Sequence, residues 1–270
     1  MTPFRRPFSG SMFVIAAALA ASALHNPASA QEAAKAAAAD CGAPADITRL
    51  AAPLSRTAKH LAAGEPVKIV AIGSSSTAGA GASSPANSYP SRLAVELAAL
   101  FPKPQITVVN RGVNGEEARD MLARFDANVI AEKPDLVIWQ VGTNAVLRDH
   151  PLAPAGSLMH EGLSRLKAIG ADVILVDLQF APKVLAKVDA DEMVDLIGVT
   201  AKQENVGLFR RFAVMRHWRQ VARIPYEKFL SPDELHMNDW SYGCIAKLLA
   251  GSIAETVSRS TLTASAGAKQ

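Results

Sequence analysis

The sequence predicts an α/β protein, a three-layer α/β/α sandwich around a central parallel sheet of five strands. Two observations carry this prediction. Short apolar runs rich in β-branched residues alternate along the chain with longer segments of helical periodicity. Several of these runs, such as DVILVDL, are apolar almost throughout, which is typical of strands covered on both faces. Regular alternation of this kind favours right-handed crossovers, with helices on both faces of the sheet.

The elements follow one another in a simple order. The predicted strands are Val67–Ile72, Gln105–Asn110, Asp135–Val141, Asp172–Leu178 and a weaker fifth near Val206–Phe209. Helices are predicted at Tyr89–Phe101, Glu116–Lys133, Ala155–Ile169, Ala190–Glu204 and Asn238–Val257. Pro90 suits the first turn of the first of these helices, and Pro102 ends it. The pattern corresponds to the flavodoxin-like doubly wound type, in which ligands bind beyond the carboxyl ends of the strands.

The first thirty residues are predicted to be a secretory signal peptide. Arg5 and Arg6 precede an apolar stretch from Ser11 to Leu24, and Ala28-Ser29-Ala30 supplies the small residues of a cleavage site after Ala30. The apolar stretch is shorter than the roughly 18 residues that a membrane span needs, so we expect no stable membrane anchor. The sequence therefore predicts a periplasmic or secreted protein.

Three further segments follow the predicted cleavage site. Residues 31–60 are interpreted as an Ala-rich lead-in with a first helix, residues 61–257 as the folded domain, and residues 258–270 as a disordered tail. The chain has a net charge of +3, and removal of Arg5 and Arg6 would bring it to +1. This balance, without an aromatic-basic motif, argues against a nucleic-acid partner.

The chain has two cysteines, Cys41 and Cys244, which lie near opposite ends of the predicted mature protein. In an oxidising compartment they can form one disulfide that closes a very long loop. The alternative is a pair of small, unpaired apolar side chains. The sequence alone leaves both open, because it does not give the distance between the two Cα atoms.

Polar residues follow the strands at the edge where a ligand is expected. GSSSTAG (73–79) follows the first strand, NRGVNG (110–115) includes the end of the second, and GTN (142–144) follows the third. The segment SPDELHMND (231–239) comes after the fifth strand and its helix. Each piece alone has an ordinary reading as a turn or a helix cap. Four such pieces at one edge of one sheet indicate an active site.

These four blocks resemble those of the SGNH hydrolases, also called GDSL-type esterases and lipases. The resemblance spans residues 73–236 and implies a catalytic Ser in the first block, Gly and Asn of an oxyanion hole in the next two, and a catalytic Asp-His pair in the last. By position these are Ser75, Gly115, Asn144, Asp233 and His236. The residues alone leave the choice among Ser74, Ser75 and Ser76 open, and the register of the family motif selects Ser75.

The chemistry of these residue types agrees with the implied roles. A Ser hydroxyl becomes a nucleophile when a base takes its proton, which His236 would do while Asp233 orients the imidazole. The backbone N–H groups of Ser75 and Gly115 and the side-chain amide of Asn144 would bind the oxyanion. We attribute the glycine at 115 to a close approach that leaves no room for a Cβ.

The sequence departs from the family pattern at three positions. Ser74 stands where the motif usually has Asp, Ala145 replaces the common Asp after the oxyanion Asn, and Glu234 replaces a frequent Gly between Asp and His. None of these changes removes a catalytic group. The first two predict an altered network of hydrogen bonds around the site.

Other patterns carry weaker hypotheses. We expect no cofactor and no metal, since the remaining histidines lack metal-ligand spacing and no phosphate-binding loop motif occurs. Arg111 and Arg148 follow two of the strands and are candidates for substrate contact. The cationic stretch RRFAVMRHWR (210–219) is interpreted as a solvated helix face with Phe212 and Trp218 turned inward.

The sequence thus predicts a serine hydrolase that cleaves carboxylic esters, with short acyl groups favoured because no long apolar lid segment is present. Its expected substrate is a small-molecule or glycan ester, such as an O-acetylated polysaccharide or cell-wall glycan. An O-acyltransferase with the same site and a non-catalytic carbohydrate-binding module are the alternatives. The oligomeric state is not predicted.

Overall fold

All five predicted strands are present in the computed structural model and form one parallel sheet. They are β1 (Val67–Gly73), β2 (Ile106–Gly112), β3 (Leu136–Gln140), β4 (Asp172–Val176) and β5 (Gly207–Phe209). Their order in the sheet is β2-β1-β3-β4-β5, which is the flavodoxin-like order. The predicted fold class is therefore confirmed.

The structure describes Met1 and residues 41–267, with side chains as far as residue 260. Apart from Met1, these residues belong to one compact unit that spans Asp40–Gln270. The predicted signal peptide, the lead-in before Cys41 and the last three residues of the predicted tail lie outside the described residues.

Thirteen helices surround the sheet in the described residues. They are α1 (Ala45–Thr48), α2 (Ser55–Ala63), α3 (Ser75–Ala78), α4 (Tyr89–Leu100), α5 (Ala118–Ala123), α6 (Phe125–Asn128), α7 (Thr143–Leu147), α8 (Leu152–Ala168), α9 (Pro182–Leu185), α10 (Ala190–Gln203), α11 (Arg211–Gln220), α12 (Tyr226–Phe229) and α13 (Asp239–Gly267). Helix α13 packs against both α2 and α4, and α8 packs against both α5 and α10. None of the helices in this described part is both long and apolar enough to cross a bilayer.

The core lies between the sheet and these helices. Every residue of β3 is buried, as expected for a central strand, whereas β2 at the edge is only partly buried. Phe212 and Trp218 turn into the core as predicted. Arg211, the first residue of α11, is buried, although residues 210–219 were predicted to form a solvated helix face. The Arg211 side chain is 1% exposed, because it points under the carboxyl ends of the strands, where buried acceptors bind it.

Two predicted helices differ from the observed ones. The segment 116–133 divides into α5, α6 and a short 3-10 turn at Ile130–Glu132. Its break falls at Arg124, whose guanidinium bonds back to Glu116 and to the carbonyl of Arg111. At the other end of the chain, α13 continues to Gly267, ten residues beyond its predicted end at Val257. It thus extends into the segment predicted to be disordered, where Arg259 donates to the carbonyl of Leu50.

The two cysteines form a disulfide between the segment before α1 and helix α13, with Cα atoms 5.3 Å apart. The structure thus selects one of the two possibilities that the sequence left open. The bridge joins residues separated by 203 positions and ties the start of the described chain to its last helix.

Candidate active site

Ser75 is the first residue of α3, immediately beyond the end of β1. Its Oγ lies 2.8 Å from Nε2 of His236. The neighbouring serines point elsewhere: Ser74 bonds to Gln140, and the hydroxyl of Ser76 is buried without a partner among the described residues. Of the three serines, Ser75 is therefore the one whose hydroxyl reaches His236.

His236 is bound on its other side by Asp233. Its Nδ1 lies 2.5 Å from Oδ2 of Asp233, while Oδ1 of Asp233 accepts the backbone N–H groups of Leu235 and His236 at 3.1 and 2.9 Å. Partial burial raises the pKa of the Asp233 carboxyl, but these hydrogen bonds outweigh burial and leave the pKa below its ordinary value. An ionised Asp233 accepts a hydrogen bond from the N–H at Nδ1. In the neutral ring the other nitrogen, Nε2, is then unprotonated and faces the Ser75 hydroxyl.

The loop that carries this pair is closed at its base. Leu230 and Met237 form an antiparallel bridge, and the N–H of Ser231 donates to the carbonyl of His236 at 2.8 Å. Inside the loop Glu234 has a φ of +57°, a conformation that glycine adopts more easily. This explains why glycine is frequent at that position in the resembling family, and it identifies Glu234 as a strained substitute.

The segment after the nucleophile packs directly on the histidine loop. Gly81 has a φ of +88°, and a Cβ there would overlap the carbonyl of Met237 and the hydroxyl of Ser231. The phenol of Tyr242 donates to the carbonyl of Ala80 at 2.7 Å. These contacts hold the Ser75 and His236 segments against each other.

The second and third blocks meet through the Asn144 side chain. Its Nδ2 donates to the carbonyl of Glu116 at 2.8 Å, which leaves the second N–H of the amide for another acceptor. Nearby, the N–H of Val113 donates to the carbonyl of Gly73 at 3.0 Å and so ties the second block to the first. The predicted oxyanion-hole residues are thus carried by segments that are bonded to each other.

The structure shows a backbone reason for the glycine at 115. Among the described residues, a Cβ at Gly115 would meet only Nη2 of Arg148, at 3.5 Å, which is an ordinary contact distance. Gly115 instead has a φ of +79°. This backbone conformation is by itself sufficient reason for glycine there.

Of the two candidate arginines, only Arg148 lies beside this site. Its Nη2 donates to the carbonyl of Gly115 at 2.8 Å, and its Nη1 lies 2.5 Å from the carboxylate of Glu117. Asn144 lies in α7 and Arg148 directly follows it. They bind two consecutive carbonyls, those of Glu116 and of Gly115 at the end of the second block. About half of the Arg148 side chain remains exposed.

The side chain of Arg111 runs away from the carboxyl edge of the sheet. It pairs at 2.5 Å with Glu132, which also binds Lys68 near the amino end of β1. Hydrogen bonds from Arg111 and Lys68 hold the pKa of the Glu132 carboxyl below its usual value. The structure therefore does not bring Arg111 to the candidate site.

Two contributors to the site escaped sequence reasoning. The carboxamide oxygen of Gln140, at the end of β3, accepts both the N–H and the hydroxyl of Ser74, at 2.9 and 3.0 Å. Gln140 thus provides the hydrogen-bond acceptor for Ser74, which stands at the position where the family motif usually has Asp. Glu116 orients Asn144 through its carbonyl, and its carboxylate binds Arg124. A polar residue ending an otherwise apolar strand, as Gln140 does in LVIWQ, was the available signal.

Comparison with known proteins finds one family model and several relatives. A model of the Non-GDSL lipase-like family matches residues 40–259. An acetylxylan esterase of Geobacillus stearothermophilus is 45% identical over 56 residues, 21% of this chain and 26% of that protein. An arylesterase of Vibrio mimicus is 28% identical over 107 residues, 40% of this chain and 53% of that protein. The chain thus spans about a quarter and about half of the lengths of these two relatives.

A likeness to solved structures concerns the fold. The structure of a two-domain esterase active on acetylated mannans, co-crystallised with mannopentaose, matches with a TM-score of 0.67 at 23% identity. The match covers 79% of this chain and 57% of that one. It supports the same arrangement of strands and helices in both proteins.

Proposed function

The chain belongs to the Non-GDSL lipase-like family, and on that premise we propose that it is an exported serine esterase that hydrolyses short acyl esters of a polysaccharide. One observation carries the proposal. The Ser75 hydroxyl, the His236 ring and the Asp233 carboxylate form a continuous series of hydrogen bonds at the carboxyl edge of the sheet, at 2.8 and 2.5 Å. In this fold class ligands bind at that edge.

Acylation uses all three side chains. Ser75 Oγ forms a bond to the ester carbonyl carbon as its proton passes to Nε2 of His236. Asp233 stabilises the resulting imidazolium and keeps Nδ1 as its donor. When the tetrahedral intermediate collapses, the bond to the leaving alcohol breaks, and that alcohol takes the proton from His236.

Deacylation repeats the same steps with water. His236 takes a proton from water, whose oxygen attacks the acyl-enzyme carbonyl, and Ser75 leaves with the proton that His236 returns. In both steps the oxyanion is bound by the N–H groups of Ser75 and Gly115 and by the free N–H of Asn144. Asn144→Ala is expected to lower kcat by about 10²- to 10³-fold, the typical loss of one such donor.

The substrate class is proposed from the relatives. An acetylxylan esterase and a structural neighbour active on acetylated mannans both act on acetylated polysaccharides. An O-acetyl group on a glycan also agrees with a site that lacks an apolar lid segment in the sequence. We therefore propose an O-acetylated polysaccharide as the substrate and acetate as the released acid.

Export is proposed from the sequence of the first thirty residues. The disulfide between Cys41 and Cys244 supports it, because such bonds persist mainly in oxidising compartments. In such a compartment the enzyme would meet extracytoplasmic glycans.

The decisive experiment combines covalent labelling with hydrolysis. The protein without residues 1–30 is treated with a fluorophosphonate probe and assayed with p-nitrophenyl esters of increasing acyl length. Labelling and hydrolysis are expected in the unaltered protein and in Ser76→Ala, whose hydroxyl has no partner among the described residues. Both are expected to disappear in Ser75→Ala, and unchanged turnover by that variant would overturn the assignment.

The same preparation separates the alternatives. Acetate release from acetylated xylan or mannan in water indicates hydrolysis. Transfer of the acetyl group to an added glycan acceptor, with no net acetate release, would indicate an acyltransferase. Glycan binding without any labelling of Ser75 would indicate a non-catalytic binding module.

A further inference from the structure

A buried hydrogen-bonded bridge lies behind the third block. The carboxamide oxygen of Gln179, which follows β4, accepts the hydroxyl of Thr143 at 3.0 Å and Nη2 of Arg211 at 2.9 Å. All three side chains are buried, with exposures of 1 to 3%. The bridge therefore joins segments that follow three neighbouring strands, β3, β4 and β5.

Burial of the charged Arg211 side chain in this bridge is energetically unfavourable. Burial disfavours its charge and lowers the pKa of its guanidinium, and a buried ion destabilises the fold unless it is well bonded. Among the described residues, Nη2 is the guanidinium nitrogen with hydrogen-bond partners, namely Gln179 and the carbonyl of Asp177 at 2.6 Å. The side chain thus fixes the position of the Gln179 carboxamide.

Thr143 transmits that position to the site. It is the first residue of α7 and directly precedes Asn144. The helix start is held from the β4 side by Gln179 and from the β2 side by the bond between Asn144 and the carbonyl of Glu116. Two opposed restraints of this kind set both the place and the direction of the Asn144 amide.

We propose that Gln179, held by Arg211, is a positioning residue of the oxyanion hole, which acts on Asn144 through the hydroxyl of Thr143. The inference rests on the proposed function, because it concerns how well Asn144 meets an oxyanion. Removal of the bridge leaves the bonds among Ser75, His236 and Asp233 in place. The expected defect is therefore in kcat, with KM and the pH profile unchanged.

The first test removes only the hydroxyl of Thr143. Thr143→Val keeps the branched shape of the side chain and leaves the bond between Gln179 and Arg211 intact. We expect kcat to fall about 3- to 10-fold, the usual worth of one hydrogen bond, and Thr143→Ser to restore most of it. A Thr143→Val enzyme with unchanged kcat would overturn the proposal.

The second test asks whether the effect passes through Asn144. In an Asn144→Ala background, Thr143→Val is expected to lower kcat by no more than about 2-fold, because the group it positions is absent. An equal fold-loss in both backgrounds would indicate a general structural role and would overturn the proposal. Absence of both hydrolysis and Ser75 labelling in the unaltered protein would instead contradict the proposed function.

Arg211 is tested with its neighbour as a control. Arg211→Lys cannot reach the two acceptors as a planar guanidinium does, and we expect its kcat defect to be non-additive with that of Thr143→Val. Arg210→Ala, which removes an exposed arginine bonded to the carbonyl of Asp46, should leave kcat unchanged. Additive losses for Arg211→Lys and Thr143→Val would mean that the arginine does not act through this bridge.

Discussion

The carboxylate of Asp239 accepts the backbone N–H of Ser83 at 2.8 Å and its hydroxyl at 2.5 Å. Ser83 follows the Ser75 segment in the chain, and Asp239 follows His236. A single carboxylate therefore connects the segment after the proposed nucleophile with the segment after the proposed base. Because it lies outside the proposed catalytic groups, its contribution can be measured separately.

Replacing Asp239 is expected to loosen the alignment of these two segments. Asp239→Asn exchanges one acceptor oxygen for an N–H₂ donor, so the bond from the Ser83 hydroxyl is lost or reversed. We expect kcat/KM to fall about 3- to 10-fold, since one charged hydrogen bond is worth roughly 1.5–3 kcal/mol and the chain can relax in part. Asp126→Asn, which alters an exposed carboxylate paired with Arg165, should leave kcat/KM unchanged.

The contact between Asp239 and Ser83 also predicts that the stability of the fold depends on pH in the acid range. Hydrogen bonds from Ser83 hold the pKa of the Asp239 carboxyl below its usual value. Its contribution to stability is therefore present above the unfolded-state pKa and is lost as the pH falls through the lower folded-state pKa. Thermal melting from neutral pH down to acid should show a steeper loss for the unaltered protein than for Asp239→Asn, and parallel curves would contradict this.

Gly115→Ala tests whether backbone conformation requires the glycine. The φ of +79° costs an alanine about 1 kcal/mol or more, and relief of that strain would turn the N–H away from the oxyanion. We expect a folded protein with a clear loss of kcat and a slightly lower Tm. Gly243→Ala, in helix α13 with open space around a Cβ, should raise stability by about 0.5–1 kcal/mol and keep kcat. Full activity of Gly115→Ala would exclude its N–H from the oxyanion hole.

The buried carboxyl of Asp177 predicts a second dependence of stability on pH, opposite in sign to that of Asp239. Burial raises the pKa of its carboxyl to about 7, although it accepts the N–H of Phe212 at 2.8 Å. Between the unfolded-state pKa near 4 and the folded-state value, the unfolded chain releases the proton first, so stability falls as the pH rises.

The measurement compares free energies of unfolding across that window. From pH 4 to pH 7 the unaltered protein should lose stability relative to Asp177→Asn, which cannot titrate. A difference for Asp177→Asn that does not change with pH would show that the buried carboxyl is ionised throughout.

Removal of the disulfide is expected to weaken the fold. Loss of a native bridge typically costs about 2–5 kcal/mol, and this one closes a long loop of the chain. The test compares unfolding in guanidinium for the unaltered protein and for the double variant Cys41→Ser, Cys244→Ser. Reductant should lower the unfolding midpoint of the unaltered protein to that of the double variant. The doubly substituted protein should not respond to reductant, and its kcat/KM at 25 °C should remain near the original value.

Much of the fold follows from local patterns. The central strands are apolar on both faces, so their runs appear in the sequence without reference to any neighbour. Because parallel strands end at one edge, the polar blocks behind them were expected to meet, and Ser75 and His236 do lie in hydrogen-bonding distance. The predicted family is confirmed by the match over residues 40–259.

Side-chain direction was beyond such patterns. Arg111 and Arg148 both follow predicted strands, but the structure places Arg111 within β2, where it reaches Glu132, whereas Arg148 reaches Gly115. Arg211 begins a stretch that reads as a cationic surface, but its guanidinium finds buried acceptors that come from β4. Each outcome depends on a partner far along the chain, which local composition does not specify.

The sequence by itself determined the fold class, the five strands and the four polar blocks that contain the candidate catalytic and oxyanion-binding residues. These depend on periodicity and on short motifs, which act over a few residues. Only the tertiary structure decided which serine faces the histidine, whether the cysteines join, and which buried groups support Asn144. Those choices depend on distances of a few ångströms between segments that lie from 28 to 203 residues apart in the chain, and packing sets such distances.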